Sequence, residues 1–414
     1  MSLLDHAIWW HVYPLGAVEA PIHGRRVLDF PGEDAGHRLR RLEAWLDYVI
    51  ELGCSGLLLG PVFESTAHGY DTVDHFRLDA RLGDDADWDH FVGQCHQRGL
   101  AIVLDGVFNH LGVLHPLVKE SVAAGGGLVR VRNGAPEPWE GHGDLALLDH
   151  ADPRVADLVV EVMVHWLGRG AAGWRLDVAY AVPAEFWAKV LGRVRERYPD
   201  AIFIGEVIHG DYGEIALAGS LDSITQYELW KAIWSSLKDR NLWELAWGLQ
   251  RHDEFSRDRV MQTFVGNHDV DRIASQVGDN GAVLAAVVLM TVPGMPSVYY
   301  GDEQGFRGEK VDGQWADAPV RPPLPPTPED LAPNGRWLHR IYHDLIGMRR
   351  RNAWLVHAAV HVVAKTNTTL VYECRGDGHA MRVEIDLAPA RARAIVDGTP
   401  AFTWAAGLPG GRTR

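Results

Sequence analysis

Cysteine is scarce in this chain: three residues in 414, Cys54, Cys95 and Cys374. An odd, widely spaced set gives no disulfide framework and no zinc-ligand spacing. Cys54 and Cys95 stand in apolar or helical surroundings, as expected of buried structural thiols. Long apolar runs are missing too. No uninterrupted stretch reaches the roughly 18 residues a membrane span needs. The start, Met-Ser-Leu-Leu-Asp-His, has no basic region leading into an apolar core, so no signal peptide is expected and a reduced, cytoplasmic compartment fits best. Positive charge is the minority: 40 basic against 55 acidic residues, a formal net charge of −15. Without a dense basic cluster, nucleic acid is not an expected partner. Oligomeric state is left open.

What is present is ordinary in bulk, with 47% hydrophobic and 23% charged residues, and the length suits one large domain plus a minor one. Sixteen tryptophans and eleven tyrosines fill cores for the most part, and a few can stack on sugar faces in a cleft. Strand and helix signals alternate along most of the chain, the pattern of a parallel sheet with crossover helices. Strands are expected at 8–13, 55–59, 100–104, 172–176, 201–205, 223–227, 260–266 and 296–300. Helices are expected at 38–52, 87–98, 153–167, 183–198, 282–291 and 336–350. Eight strands, each followed by helical sequence, point to an α/β (β/α)8 TIM barrel rather than an open sheet.

Two stretches interrupt that alternation. Residues 111–148, rich in Gly, Pro and His, show no clear period and read as a short inserted loop domain after the third strand, over one face of the barrel. Residues 319–333 hold seven prolines and must form an extended loop beyond the eighth strand. From about residue 353 the pattern turns to short β-rich segments (360–363, 369–372, 381–385, 394–396) and a Gly-rich tail expected to be disordered. The expected organisation is a barrel over 1–110 and 149–352, the insertion at 111–148, and a small antiparallel C-terminal β domain at 353–414.

Four apolar runs each end in a carboxylate or a His-Asp cluster: Ala101-Ile-Val-Leu-Asp-Gly-Val-Phe-Asn-His110, Gly173-Trp-Arg-Leu-Asp-Val178, Ala201-Ile-Phe-Ile-Gly-Glu206 and Thr263-Phe-Val-Gly-Asn-His-Asp269. Catalytic groups of such barrels sit at the carboxyl ends of several strands, where Asp105, Asp177, Glu206 and Asp269 fall. Glycosidic hydrolysis needs one ionised and one protonated carboxyl group. Asp177 is the nucleophile candidate, because Arg175, two residues earlier on the strand, points to the same side and should hold it ionised. Glu206 ends a markedly apolar run, where desolvation suits a general acid. Asp269 with His268 can grip vicinal hydroxyls, and His110 can donate to a substrate hydroxyl. A divalent metal on His110, Asp177, Glu206, His268 and Asp269 is the competing reading. Arg175 beside Asp177 opposes it, and Trp10-His11-Val12-Tyr13 has one His where metal-dependent barrels carry His-x-His. No metal and no cofactor are expected.

These runs, in this order, resemble the conserved regions of the α-amylase family of glycoside hydrolases. The likeness extends to His68-Gly69-Tyr70-Asp71 and to Pro296-Ser-Val-Tyr-Tyr-Gly-Asp-Glu303. The resemblance implies Asp177 as nucleophile, Glu206 as acid/base and Asp269 as transition-state stabiliser. It implies Arg175, His110 and His268 as contacts to sugar or nucleophile, Tyr70 stacked under the sugar, and Asp71 supporting its loop. It further implies retention through a covalent intermediate, with carboxyl groups roughly 5–5.5 Å apart. Gly173-Trp-Arg-Leu-Asp-Val-Ala179 and Gly205-Glu-Val-Ile-His209 look most like the neopullulanase and cyclomaltodextrinase branch, although here barrel sequence begins without that branch's N-terminal β domain. Tyr180-Ala181 stands where secreted α-amylases carry Lys-His, which weakens a starch-cleaving, calcium-dependent reading. The expected activity is hydrolysis of maltooligosaccharides or related α-glucans. The alternative is a transglycosylase with the same catalytic residues, decided by the acceptor-side loops. An inactive binding subunit is disfavoured because all three carboxylates are present.

Overall fold

A computed structural model describes residues 2–22, 36–313 and 315–407. Its central sheet has eight parallel strands: β1 (Trp9–Val12), β2 (Gly56–Leu59), β3 (Ala101–Gly106), β4 (Gly173–Leu176), β5 (Ile202–Gly205), β6 (Ser223–Ile224), β7 (Gln262–Phe264) and β8 (Met295–Tyr299). They pair in the order β6-β5-β4-β3-β2-β1-β8-β7. A parallel bridge between Thr225 and Gln262 joins the two ends, which closes the α/β barrel. Strands covered on both faces read as continuous apolar runs rather than alternating ones, and every residue of β1, β2, β4, β5 and β8 is buried. Small residues permit the close strand approach: a Cβ on Gly56 would lie 2.2 Å from the Ala101 carbonyl oxygen, and one on Gly173 would lie 2.3 Å from that of Ile202.

The two-residue period of the strands explains where the polar groups go. Trp9, Leu58, Val103, Ile202, Ile204 and Met295 pack together as an apolar cluster of their own. Two residues further along the same faces stand His11 on β1, Asp105 on β3 and Glu206 beyond β5. The register brings Arg175 beside Asp105 on one side and Ile204 on the other. The apolar plug at one end of the barrel therefore becomes a polar mouth at the carboxyl end.

Helix boundaries follow local chemistry. Asp84 and Asp87 form a capping box on Asp85–Gln97, and Asp152 with Pro153 starts Pro153–Gly168. Some expectations need adjusting. The 38–52 helix is two pieces, Leu39–Glu43 and Leu46–Leu52. The helix before β8 begins earlier, at Ile273, and is broken at Gly278 (φ 68°, ψ 178°). By length and composition Ile273–Thr291 could cross a membrane, alone among the described residues, yet every residue from Gly281 to Thr291 is buried. All three cysteines are free and buried.

Two excursions cover the mouth. After β2 comes a hairpin, Phe63–Ser65 with Thr72–Leu78, which the sequence reading missed. Residues 111–148 are more ordered than their lack of period suggested. His110–Gly112, His142–Leu147 and Pro138–Trp139 form a three-stranded sheet, and Pro116–Ala124 is a helix opened by the His115 side chain and closed by Gly125 in the left-handed region. Beyond the barrel, β9 (Ala359–Lys365), β10 (Thr369–Gly376), β11 (His379–Leu387), β12 (Ala390–Val396) and β13 (Thr399–Ala405) form a sequential antiparallel sheet. Four of these strands were expected. β13 was not, although its alternation buries Phe402 and Trp404. The Gly-rich tail, residues 408–414, lies outside the described residues.

Candidate active site

One guanidinium organises the barrel mouth. Arg175, from β4, is 2% exposed. Its Nη1 lies 2.6 Å from both carboxylate oxygens of Asp105 and 3.2 Å from Asp177 Oδ1. Its Nη2 lies 2.6 Å from Glu206 Oε1. Three carboxylates from three adjacent strands thus share one cation, and Asp177 and Glu206 are neighbours through it. Glu206 is held further by the Tyr227 hydroxyl, which donates to Oε1 at 2.9 Å, and by the Val178 N–H, which donates to Oε2 at 3.0 Å. Val178 adopts a left-handed conformation (φ 41°), a strained position for a β-branched residue of the kind that clusters at functional sites.

Asp269 faces this group from the loop after β7. Its backbone N–H donates to Asn267 Oδ1 at 2.9 Å, and Asn267 in turn donates to the Tyr227 hydroxyl at 2.8 Å. Its carboxylate meets His268 Nε2 at 3.0 Å and Arg321 Nη2 at 2.8 Å. Burial works against ionisation of Asp269, but His268, its hydrogen bond, Arg321 and Arg175 together hold the carboxyl well below its usual range. Asp177 goes the other way. Burial and the Glu206 carboxylate beside it push Asp177 well above the usual value, against the pull of Arg175. This corrects the expectation that Arg175 holds Asp177 ionised: the guanidinium is divided among three carboxylates, and its closest contacts are to Asp105 and Glu206.

Tyr70, on the loop between the hairpin strands, donates its hydroxyl proton to Asp105 Oδ2 at 2.9 Å and also meets His268 Nε2. Its ring lies parallel to the His268 ring, centroids 5.3 Å apart. Asp71 Oδ1 accepts from the N–H groups of His68 and Gly69, at 3.0 and 3.2 Å, and so braces that loop. His110 Nε2 faces the Tyr70 carbonyl at 3.1 Å, and Asn109 Nδ2 lies 3.2 Å from its Nδ1. Burial lowers the His110 value to about 4, so it is a neutral imidazole bridging the insertion and the Tyr70 loop, and it stacks on Trp139.

All eight residues singled out in the sequence (Tyr70, Asp105, His110, Arg175, Asp177, Glu206, His268 and Asp269) come to this one mouth. Sequence reasoning missed Tyr227, Arg321, Lys310 and Trp139. Tyr227 lies just past β6, so the rule that strand ends carry function would have reached it. Arg321 sits in the proline-rich loop, where no period marks a side chain. It also donates from Nε to the His268 carbonyl at 2.8 Å and lies over the Tyr13 ring at 4.6 Å. Lys310 Nζ meets the Asp269 carbonyl at 3.0 Å and Asp317 Oδ1 at 2.7 Å.

A closed parallel barrel with this carboxylate set defines a class, and comparison with known families names it. The model for the catalytic domain of α-amylase matches residues 32–132 and 140–321. The chain belongs to the α-amylase family. Similar sequences include a cyclomaltodextrinase of Thermoanaerobacter pseudethanolicus, 30% identical over 64% of this chain and 50% of that protein. Neopullulanase 2 of Thermoactinomyces vulgaris is 28% identical over 76% of this chain and 56% of that one. An intracellular maltogenic amylase of Bacillus subtilis is 30% identical over 68% and 50%. The chain therefore spans about half the length of the curated relatives it matches. Among solved structures, a ligand-free cyclic α-maltosyl-(1→6)-maltose hydrolase from Arthrobacter globiformis superposes with a TM-score of 0.78, covering 98% of this chain and 99% of that one at 24% identity. That likeness supports the fold.

Proposed function

We propose that this chain is a retaining α-glycosidase that hydrolyses short α-glucosidic saccharides such as maltooligosaccharides. The observation that carries the reading is the single guanidinium of Arg175 bridging Asp105, Asp177 and Glu206, with Asp269 facing them across His268. Asp177 attacks the anomeric carbon while Glu206 protonates the departing glycosidic oxygen. Glu206 then takes a proton from the incoming water, which displaces Asp177 from the covalent intermediate. Burial and the Glu206 carboxylate beside it favour a proton on Asp177 in the free site. Positive charge developing on the sugar favours ionised Asp177 and leaves that proton for Glu206. Asp269, kept anionic by His268 and Arg321, stabilises the same charge. Arg175 positions Asp177, His268 contacts a sugar hydroxyl through Nε2, and His110 holds Tyr70 beneath the ring. Double displacement of this kind needs no metal or cofactor.

The printed names of the cyclomaltodextrinase, neopullulanase and maltogenic amylase relatives support an α-glucan as substrate, and an intracellular relative together with three free, buried cysteines supports a cytoplasmic location. The test is digestion of a linkage-defined panel of gluco-oligosaccharides, with anomer and product length followed by NMR. Retention at the new reducing end is expected, and Asp177→Ala should abolish turnover. Inversion, or unchanged turnover in that variant, would overturn the proposal. Transfer products at high sugar concentration would mark a transglycosylase.

A further inference from the structure

One imidazole at the mouth has no part in the chemistry above. His11 stands on β1, on the face that carries Trp9 into the barrel, and is 3% exposed. Its Nε2 lies 3.2 Å from Nδ1 of His268, and its ring meets those of His268 and Tyr299 edge-on, at 5.1 and 5.3 Å between centroids. Two facing ring nitrogens can hold one hydrogen between them.

The far side of His268 fixes which way that hydrogen runs while His268 is neutral. Nε2 of His268 faces Asp269 Oδ2 at 3.0 Å, and an ionised carboxylate only accepts. Nε2 also faces the Tyr70 hydroxyl, whose own proton goes to Asp105. Nε2 therefore carries a hydrogen. In neutral His268, Nδ1 is then a bare acceptor. The ring is fully buried between the parallel rings of Tyr13 and Tyr70, and His11 is the donor that reaches Nδ1 among the described residues.

We propose that His11 is a positioning residue whose Nε2–H fixes His268 as the Nε2-protonated tautomer and so aims that N–H at Asp269 and at the sugar. This deepens the glycosidase reading and rests on it for its kinetic consequence. The charged and titratable groups around His11 are His268, Arg175, Asp269 and Arg272, with Tyr299 beside it. Burial, Arg175 and Arg272 keep His11 neutral, against Asp269, and a charged His268 adds to them. A neutral imidazole can also turn to its other tautomer and accept if His268 gains a second proton. The residue at position 11 must therefore both donate and accept at one point, which Gln can do by rotating its amide and Leu cannot.

Two measurements test this. Long-range proton–nitrogen NMR on wild-type enzyme labelled with ¹⁵N-histidine, with His268 assigned through His268→Gln, should show a protonated Nε2 and a bare Nδ1 on His268 wherever that ring is neutral. A neutral His268 protonated on Nδ1 would overturn the proposal whatever the enzyme's activity. His11→Leu should lower kcat about tenfold or more, with KM changed less than about threefold, while His11→Gln should restore kcat to within about threefold of wild type. Equal losses in two folded variants, or no loss in His11→Leu, would also overturn it. Wild-type hydrolysis with retention is scored separately, so failure of the glycosidase reading is distinguishable from failure of the tautomer assignment.

Discussion

Replacing Arg175 with Met removes a cation and keeps most of its volume. In the native protein this guanidinium reaches Asp105, Asp177 and Glu206 at 2.6, 3.2 and 2.6 Å, and all four side chains are almost fully buried. Breaking a buried ion pair by removing one partner costs roughly 3–5 kcal/mol. Without the guanidinium the three carboxylates will take up protons at still higher pH than in the native protein, where burial already raises Asp105 and Asp177, because a proton costs less than an uncompensated buried charge. Their folded-state values rise above the unfolded ones, near 4. Stability is then fully present below pH 4 and lost as pH rises through the folded values. Thermal unfolding followed by circular dichroism at pH 5 and pH 8 measures this. At pH 8 the variant should melt roughly 5–10 °C below wild type, at about 2 °C per kcal/mol for a large chain. At pH 5 the gap should be clearly smaller. An equal gap at both pH values, or a loss of under about 1 kcal/mol at pH 8, would refute the shared-cation reasoning.

Tyr227→Phe deletes the hydroxyl that joins Glu206 to Asn267 (2.9 and 2.8 Å). Steady-state kinetics should show kcat lowered about tenfold with a smaller change in KM. Arg321→Met removes the cation that holds Asp269 at 2.8 Å, so kcat/KM should fall by more than about tenfold while the fold is kept. Gly266→Ala would place a Cβ 2.2 Å from Asp302 Oδ2, against the buried Arg272–Asp302 pair (2.9 Å). Denaturant unfolding should report a loss of about 1–3 kcal/mol, together with reduced activity, because Asn267, His268 and Asp269 follow directly. Behind β8, burial raises the Glu303 carboxyl from 4.5 to about 7. Its stabilising contribution is present below pH 4.5 and lost as pH rises to about 7, a difference of about 3 kcal/mol. In Glu303→Gln the melting temperature should decline less across that window, and an unchanged slope would refute the assignment.

The sequence by itself determined the barrel and the candidate groups at its mouth. Continuous apolar runs ending in Asp105, Asp177, Glu206 and Asp269 required strands buried on both faces, and the two-residue period then placed Arg175 beside Asp177. It did not reveal helix Pro116–Ala124 or the hairpin at 63–78, whose local periods are short or masked by polar and glycine residues, or strand β13, despite the alternation that buries Phe402 and Trp404. Nor could it show that Arg175 is divided among three carboxylates, that Tyr227 and Arg321 hold Glu206 and Asp269, or that His11 meets His268. Those contacts join residues up to 257 positions apart. Their strength depends on distance and burial, and only the closing of the sheet on itself sets either quantity.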